Sequence, residues 1–395
     1  MKYGKTHSWR CRFLFNTAVK YVLFFIFCFL SSAAAETMPG GFLVNGQKTF
    51  PLGWYALHKF PELGIPALGL TPLDESMRHG FDYVMPYYIR GEGEASLFAY
   101  MDAAHDRGVK VMIDMHPIEL NAITTWVNIV KNHPGLYGYY LDDEPEIRGI
   151  PASDVIAKYN AVKAADPDPN HIVLLVIYSP LSKHTAYLPA CDVVGRELYS
   201  LNLYSQVQAD IAAAKKAGKA YLALPGLYQA FGYSLPSPAE FRYMVFAPVS
   251  MGADGIMPFI FEGAESKYGL PSPGFRDTIA YPATDQLKSL LPTFLKGNAG
   301  LTASCSNTYN GDITWVFAGD GNDAVLIAVN NNRKRSRAKV GFTLSGLDPS
   351  IVAAKVLGEN RTISLTSGNF SDKFAALGVH IYLFESLSAA QAGTP

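Results

Sequence analysis

Apolar runs of six to nine residues recur along the first two thirds of the chain, each followed by a polar, helix-compatible stretch. They are Phe50–Tyr55, Phe81–Tyr87, Val109–His116, Leu136–Glu144, His171–Tyr178, Cys191–Tyr199, Lys219–Leu224 and Gly255–Phe261. Their starts lie 20 to 36 residues apart, the length of one strand–helix unit. Several are apolar throughout, as expected of parallel strands covered on both faces. Between them the pattern predicts helices at Ser96–Arg107, Ser153–Ala165, Gln206–Ala217 and Pro238–Met251. Gly108 and Gly218 follow two of these as C-terminal stops, and Ser237 caps the last, with Pro238 at its first position. Eight units predict a (β/α)8 barrel in the α/β class. A doubly wound open sheet is the rival, and no glycine-rich phosphate loop follows the first strand to support its dinucleotide-binding form.

Beyond about Gly300 the period changes. Ile313–Ala318, Ala324–Val329, Ala338–Thr343, Ala353–Leu357, Phe374–Ala376 and Val379–Phe384 are short strand-like runs split by Gly, Asn, Asp and Ser. They predict a small antiparallel β-sandwich. The cationic run Arg333–Arg337 reads as a solvated hairpin turn. The expected organisation is an export signal over 1–35, a barrel over 36–298, a sandwich over 299–386 and a frayed tail over 387–395.

The export signal rests on a basic segment holding Lys2, Lys5, Arg10, Arg12 and Lys20, then the apolar run Tyr21–Leu30, then Ser31–Ala35. That is the order of a cleavable leader, with cleavage expected after Ala35 and a signal-anchor as the alternative. A secreted or periplasmic protein follows, with no stable membrane span once the leader is gone. The chain's net charge of −1 becomes about −6 without those five cations, leaving 28 basic against 34 acidic groups. Such a balance excludes a nucleic-acid binder, which needs a basic excess. Cys191 and Cys305 remain after cleavage, as two separate thiols or as a pair. No cofactor is implied, and no metal motif matches the spacing of Asp114, His116, Asp143 and Glu144.

Barrel chemistry sits at the C-terminal ends of the strands. Those ends offer Trp54 and Tyr55, Tyr87, Asp114 and His116, the run Asp142-Asp143-Glu144-Pro145-Glu146, Tyr178, Arg196, Glu197 and Tyr199, Tyr228 and Gln229, and Glu262. Aromatic faces stack on sugar rings, and carboxylates bond their hydroxyls. Glycosidic hydrolysis needs a carboxylic acid to protonate the leaving oxygen and a second carboxylate to activate water or attack carbon. The substrate predicted on this ground is a carbohydrate.

Gly138–Glu146 (GYYLDDEPE) resembles the fourth-strand motif of (β/α)8 glycoside hydrolases, in particular the clan of retaining glycosidases. Asp192–Asn202 (DVVGRELYSLN) resembles their sixth strand, and Met251–Phe259 (MGADGIMPF) their last helix-to-strand step. The resemblance implies Glu144 as general acid/base. It departs at strand seven, where Gln229 stands in place of a nucleophilic glutamate. Glu262 or Glu197 then offers the second carboxylate. Alternatively Asp143 and Glu144 act as a pair, similar to the Asp-Glu of hexosaminidases, with substrate assistance. A third reading is a barrel that binds glycan without cleaving it. Trp54, Tyr55, Tyr87, His116, Tyr178, Tyr199 and Gln229 are the expected substrate contacts.

Plain structural roles compete with several of these. Asp143 fits a helix N-cap for a helix begun by Pro145. Glu197 beside Arg196 fits an ion pair, Glu262 a solvated loop, Asp114 and His116 the barrel mouth, and Trp54 and Tyr55 the core.

Overall fold

A computed structural model describes residues 41–44, 46–57, 69–87, 89–229, 232–262 and 274–386. The expected signal over 1–35 and the tail over 387–395 lie outside the described residues. A short antiparallel hairpin, β1 (Phe42–Val44) and β2 (Gln47–Thr49), comes first and was not legible as strand.

The barrel follows as β3 (Gly53–Leu57), α1 (Thr71–His79), β4 (Tyr83–Tyr87), α2 (Glu94–Asp106), β5 (Lys110–Asp114), α3 (Leu120–Val130), β6 (Leu136–Asp143) and α4 (Ala152–Ala165). It continues as β7 (Ile172–Ile177), β8 (Val193–Leu198), α5 (Val207–Lys216), β9 (Ala220–Pro225), α6 (Pro238–Ser250), β10 (Gly255–Ile256) and α7 (Tyr281–Phe294). The strands are parallel and in sequence order from β3 to β10. Bridges Leu52–Ile256 and Tyr55–Phe259 close the sheet on itself, with the Phe261 N–H donating to the Tyr55 carbonyl at 3.0 Å. The open-sheet rival is thereby excluded. All eight expected strands are present with shifted ends. Helix α6 starts with a capping box in which Ser237 and Glu240 satisfy each other's backbone N–H.

Alternation along each strand sorts side chains into two compartments. Tyr83, Met85, Met112, Tyr140, Leu174, Val176, Leu222, Leu224 and Met257 fill the barrel interior. Trp54, Val84, Val111, Val173, Leu175 and Val194 pack outward under the helices. Gly195 is forced by the interior. A Cβ there would stand 2.9 Å from Val176 Cγ2 and 3.0 Å from Leu224 Cδ1, so only glycine leaves room beneath residue 197.

Strand β6 breaks the alternation. Tyr139 and Tyr140 pair with Val173 and Leu174, but Asp142 and Asp143 pair with Leu175 and Val176, so Leu141 is an extra residue. This bulge keeps both Tyr140 and Asp143 on the interior face and turns Asp142 outward.

The C-terminal part comprises β11 (Thr302–Cys305), β12 (Ile313–Gly319), β13 (Asp323–Asn330), β14 (Arg337–Ser345), β15 (Ala353–Val356), β16 (Arg361–Ser364), β17 (Asn369–Phe374) and β18 (Val379–Glu385). These make a three-stranded sheet, β11–β14–β17, and a five-stranded sheet, β12–β13–β18–β15–β16, both antiparallel. Strands β11 and β16 were not expected, and the fifth expected run, Phe374–Ala376, overlaps only the last residue of β17 and is no strand of its own. Arg333–Arg337 is no hairpin turn, because β13 and β14 belong to different sheets and the run crosses between them. One face of the larger sheet, through Val316, Val325, Ile327 and Ile381, joins the same hydrophobic core as α6 and α7. The other meets the smaller sheet through Trp315, Phe342, Phe370 and Tyr382. Cys191 and Cys305 are separate free thiols. Among the described residues no helix is long and apolar enough to cross a membrane.

Candidate active site

At the C-terminal mouth of the barrel, β6 and β8 bring three carboxyl groups together. Asp143, on the interior face after the bulge, accepts hydrogen bonds from the Tyr140 hydroxyl on Oδ1 and from Tyr87 on Oδ2 at 3.4 Å. Burial holds its proton affinity above the ordinary carboxylate range, and the Glu144 charge adds to that. Glu197 points inward from β8 and is 2% exposed. Its carboxyl is within hydrogen-bonding reach of the Glu144 carboxyl and the Tyr199 hydroxyl. Among the described residues no N–H or O–H donates to Glu197 Oε2. Burial first, then the Glu144 contact and the Asp143 charge, push the Glu197 pKa far up. Burial and these neighbours therefore favour the protonated form of Glu197.

Glu144, like Asp143, is half-buried. Its backbone sits at φ +44°, a left-handed conformation that costs a non-glycine residue about 1–2 kcal/mol. Strain of this kind persists where surrounding structure imposes it, and it clusters at functional sites. The imposing structure is visible. The Glu144 N–H donates to the Val176 carbonyl at 3.1 Å. Two residues on, Glu146 Oε1 accepts the N–H groups of Tyr178 and Ser179 at 2.9 and 2.7 Å. The loop after β6 is thus pinned to β7 on both sides of the carboxyl. Asp143 does not cap a helix. Pro145–Gly149 is a turn, and α4 begins only at Ala152.

Asp142, turned outward by the bulge, anchors the arrangement from behind. It is fully buried and accepts from His116 Nδ1 at 3.0 Å, Lys158 Nζ at 3.1 Å, Arg148, and the Asp143 backbone N–H at 2.9 Å. The His116 hydrogen bond and the Lys158 and Arg148 charges overcome burial and hold its carboxyl well below the usual range. His116 also stacks on Tyr87, with ring centroids 6.1 Å apart. Asp114 accepts the His116 N–H at 2.8 Å and so shapes the mouth.

Aromatic rings surround the acids. Tyr55 packs against Tyr87 at 5.5 Å, Tyr140 at 5.8 Å and Phe259 at 4.8 Å. Tyr199 packs against Tyr228 at 5.3 Å and Phe259 at 5.0 Å, and Tyr178 lies 6.3 Å from Tyr199. Burial raises the pKa of Tyr55, Tyr140 and Tyr199 far above that of a free phenol, and the nearby carboxylates raise it further. These hydroxyls remain donors throughout the working pH range.

Of the expected site residues, Asp143, Glu144, Glu197, Tyr55, Tyr87, His116, Tyr178 and Tyr199 are brought together. Trp54 is not. It is fully buried on the outer face of β3, stacked on Phe81 at 5.0 Å and edge-on to Phe261 and Tyr281. Glu262 is also elsewhere: it is buried rather than solvated, and its charge acts on Tyr100 of α2, outside the barrel. Gln229 is exposed beyond β9. Arg196 does not pair with the Glu197 carboxyl, because adjacent residues of a strand face opposite ways. It pairs with Asp210 at 3.2 Å instead. Tyr140, Tyr233 and Phe259 belong to the site although sequence reasoning did not single them out. Tyr140 was legible only through a bulge that no local rule predicts. Among the described residues no group of three or more His, Cys, Asp or Glu is placed to hold a metal ion.

A closed parallel barrel with paired carboxyls at its C-terminal mouth and a β-sandwich behind it is the (β/α)8 fold found in glycoside hydrolases. Solved structures share this fold across most of their length. A structure described as a glycoside hydrolase aligns with TM-score 0.57 and 14% identity over 87% of this chain and 94% of that one. The α-amylase of Geobacillus thermoleovorans, solved with acarbose, aligns with TM-score 0.57 and 12% identity over 86% and 98%. A GH27 β-L-arabinopyranosidase of Geobacillus stearothermophilus, solved with arabinose, gives 0.55 and 10% over 85% and 97%. No family model matches the chain, and no curated protein matches it by sequence.

Proposed function

We propose that the protein hydrolyses a glycosidic bond in an oligo- or polysaccharide, using Glu144 and Glu197 as its two working carboxyls. One observation carries this. Two glutamate carboxyls, one on β8 and one just after β6, lie within hydrogen-bonding reach of each other at the floor of a tyrosine-lined barrel mouth, and burial splits them by favouring the protonated form of Glu197. Such a split assigns one group as acid and the other as base or nucleophile. Glu197, kept protonated, is the donor to the glycosidic oxygen. Glu144, half-exposed, activates water or attacks the anomeric carbon. Asp143, held by the Tyr140 and Tyr87 hydroxyls, orients the sugar or its substituent. The solved neighbours whose names describe sugar-cleaving enzymes or sugar complexes support the same reaction class.

A second division keeps Glu144 as general acid/base, as the resemblance of its segment implies, and its greater exposure favours it. Aryl glycosides separate the two. A leaving group of low pKa needs no protonation, so the variant lacking the acid recovers on such a substrate and the variant lacking the base does not. Release of reducing ends from a glycan panel by the wild type, Glu144→Gln and Glu197→Gln is the measurement. Both variants should lose about 10²–10⁴-fold on natural linkages, with Glu197→Gln the one rescued. Rescue of Glu144→Gln instead selects the second division. Binding without turnover by the wild type leaves the non-catalytic reading. The basic and apolar leader supports a reaction outside the cytoplasm. N-terminal sequencing of protein recovered from periplasm or medium, expected to begin at Glu36, tests that.

A further inference from the structure

Beside the carboxyl pair, on the side of β8 and β9, lies a cavity of about 250 Å³. Tyr199 and Tyr233 wall it, and Asn202, Ser234, Glu240 and Arg333 supply its polar groups. At about 30 Å³ per water it has room for roughly eight waters, the scale of one sugar ring. Its walls are shared with the catalytic floor. Tyr199 reaches Glu197, and Tyr233 lies in the field of both Glu197 and Glu144 and hydrogen-bonds Tyr178. A ring held here is therefore adjacent to the bond being cut.

Five of these six residues come from the barrel. Arg333 comes from the sandwich, on the crossover between β13 and β14, and its guanidinium donates to Asn202 Oδ1. Arg333 is exposed and forms no ion pair among the described residues. Among the described residues the one acid lining the cavity, Glu240, is already engaged by the Ser237 N–H at 2.9 Å and hydroxyl at 2.8 Å. Lys334 and Arg335 follow in the same exposed loop. A guanidinium with spare donors facing a ring-sized, tyrosine-walled cavity suits a planar or tetrahedral oxyanion carried on a sugar.

We infer that this cavity is a saccharide subsite built jointly by barrel and sandwich, and that it selects a substrate bearing an anionic substituent, carboxylate or sulfate, read by Arg333. The inference rests on the proposed glycan-active site and names its substrate class.

The test is calorimetric titration of the full chain, separate from turnover. The probes are oligogalacturonate, oligomannuronate and hyaluronan oligosaccharides with their carboxyl-reduced forms, and carrageenan oligosaccharides with their desulfated forms. At least one anionic probe should bind about tenfold or more tighter than its neutral counterpart, as expected for a charge-assisted hydrogen bond. The carboxylate and sulfate sets tell the two sources apart. Arg333→Gln should erase that preference, and Arg333→Lys should keep part of it. Moderate salt should weaken it in the wild type. Equal binding of charged and neutral forms, a preference that survives in Arg333→Gln, or no binding of any anionic probe overturns the inference. A preference dependent on Arg333 without turnover sustains it and instead ends the hydrolytic reading.

Discussion

Glu197 carries its burial as a pH-dependent cost. Its folded-state pKa is raised, whereas in the unfolded chain it titrates near 4.3. Between those values the native protein binds the extra proton, so stability falls as pH rises through that window. Below the unfolded value the contribution is fully present. Glutamine copies the shape of the protonated acid and never ionises. Glu197→Gln should therefore melt near the wild type at pH 4 and above it at pH 8, in thermal scans across that range. A wild type whose melting point keeps level with the variant's at every pH would show that Glu197 is not held protonated. The identity of this residue as a mouth carboxyl was legible from its place at a strand end. Its state was not, because protonation depends on which acids from other strands face it. Arg196 next door invites an ion-pair reading that only the strand's alternation refutes.

Strand β6 delivers two chemically different aspartates from consecutive positions. The extra residue Leu141 turns Asp142 toward α4 and β5 and leaves Asp143 inside. Asp142 then ties three elements together through His116, Lys158 and Arg148. Removing one partner of a buried ion network costs about 3–5 kcal/mol, since the remaining charges stay desolvated. Asp142→Asn should lose stability of that order at neutral pH in urea melts. Its lowered pKa means the ionic contribution is present above the usual carboxylate range and fades as pH falls, so the deficit should shrink on strong acidification. A deficit below about 1 kcal/mol at neutral pH would mean the network is ornamental. The eight strands were legible because each is a mostly apolar run followed by a polar, helix-compatible stretch. What escaped was facing. Trp54 and Tyr55 look equivalent in sequence, yet one lies under the helices and the other in the mouth, because register against β4 and β10 decides which way each points. Strands β11 and β16, four residues each, were too short to show an alternating pattern.

Barrel and sandwich look separable in sequence, where a change of period near residue 300 marks the boundary. Packing joins them. The face of the five-stranded sheet made by Val316, Val325, Ile327, Val329 and Ile381 shares one core with α6 and α7. Polar contacts frame that interface. Arg242 of α6 donates to the Val379 carbonyl at 2.7 Å and to Gln286 of α7 at 2.8 Å, and the Ser250 and Thr314 hydroxyls meet at 2.6 Å. Neither part can part from the other without exposing an apolar sheet face and two helices to water, at roughly 25 cal/mol per Å². The arrangement also holds the Arg333 loop against Asn202 at the rim of the barrel mouth. The whole should therefore unfold as one cooperative unit, with calorimetric and van't Hoff enthalpies equal in a single endotherm. Tryptophan fluorescence should melt at that same temperature, since Trp54 and Trp126 sit in the barrel and Trp315 between the sheets. Two resolved endotherms would show instead that the sandwich is an independent module, and the coupling of its loop to the catalytic mouth would then need another cause.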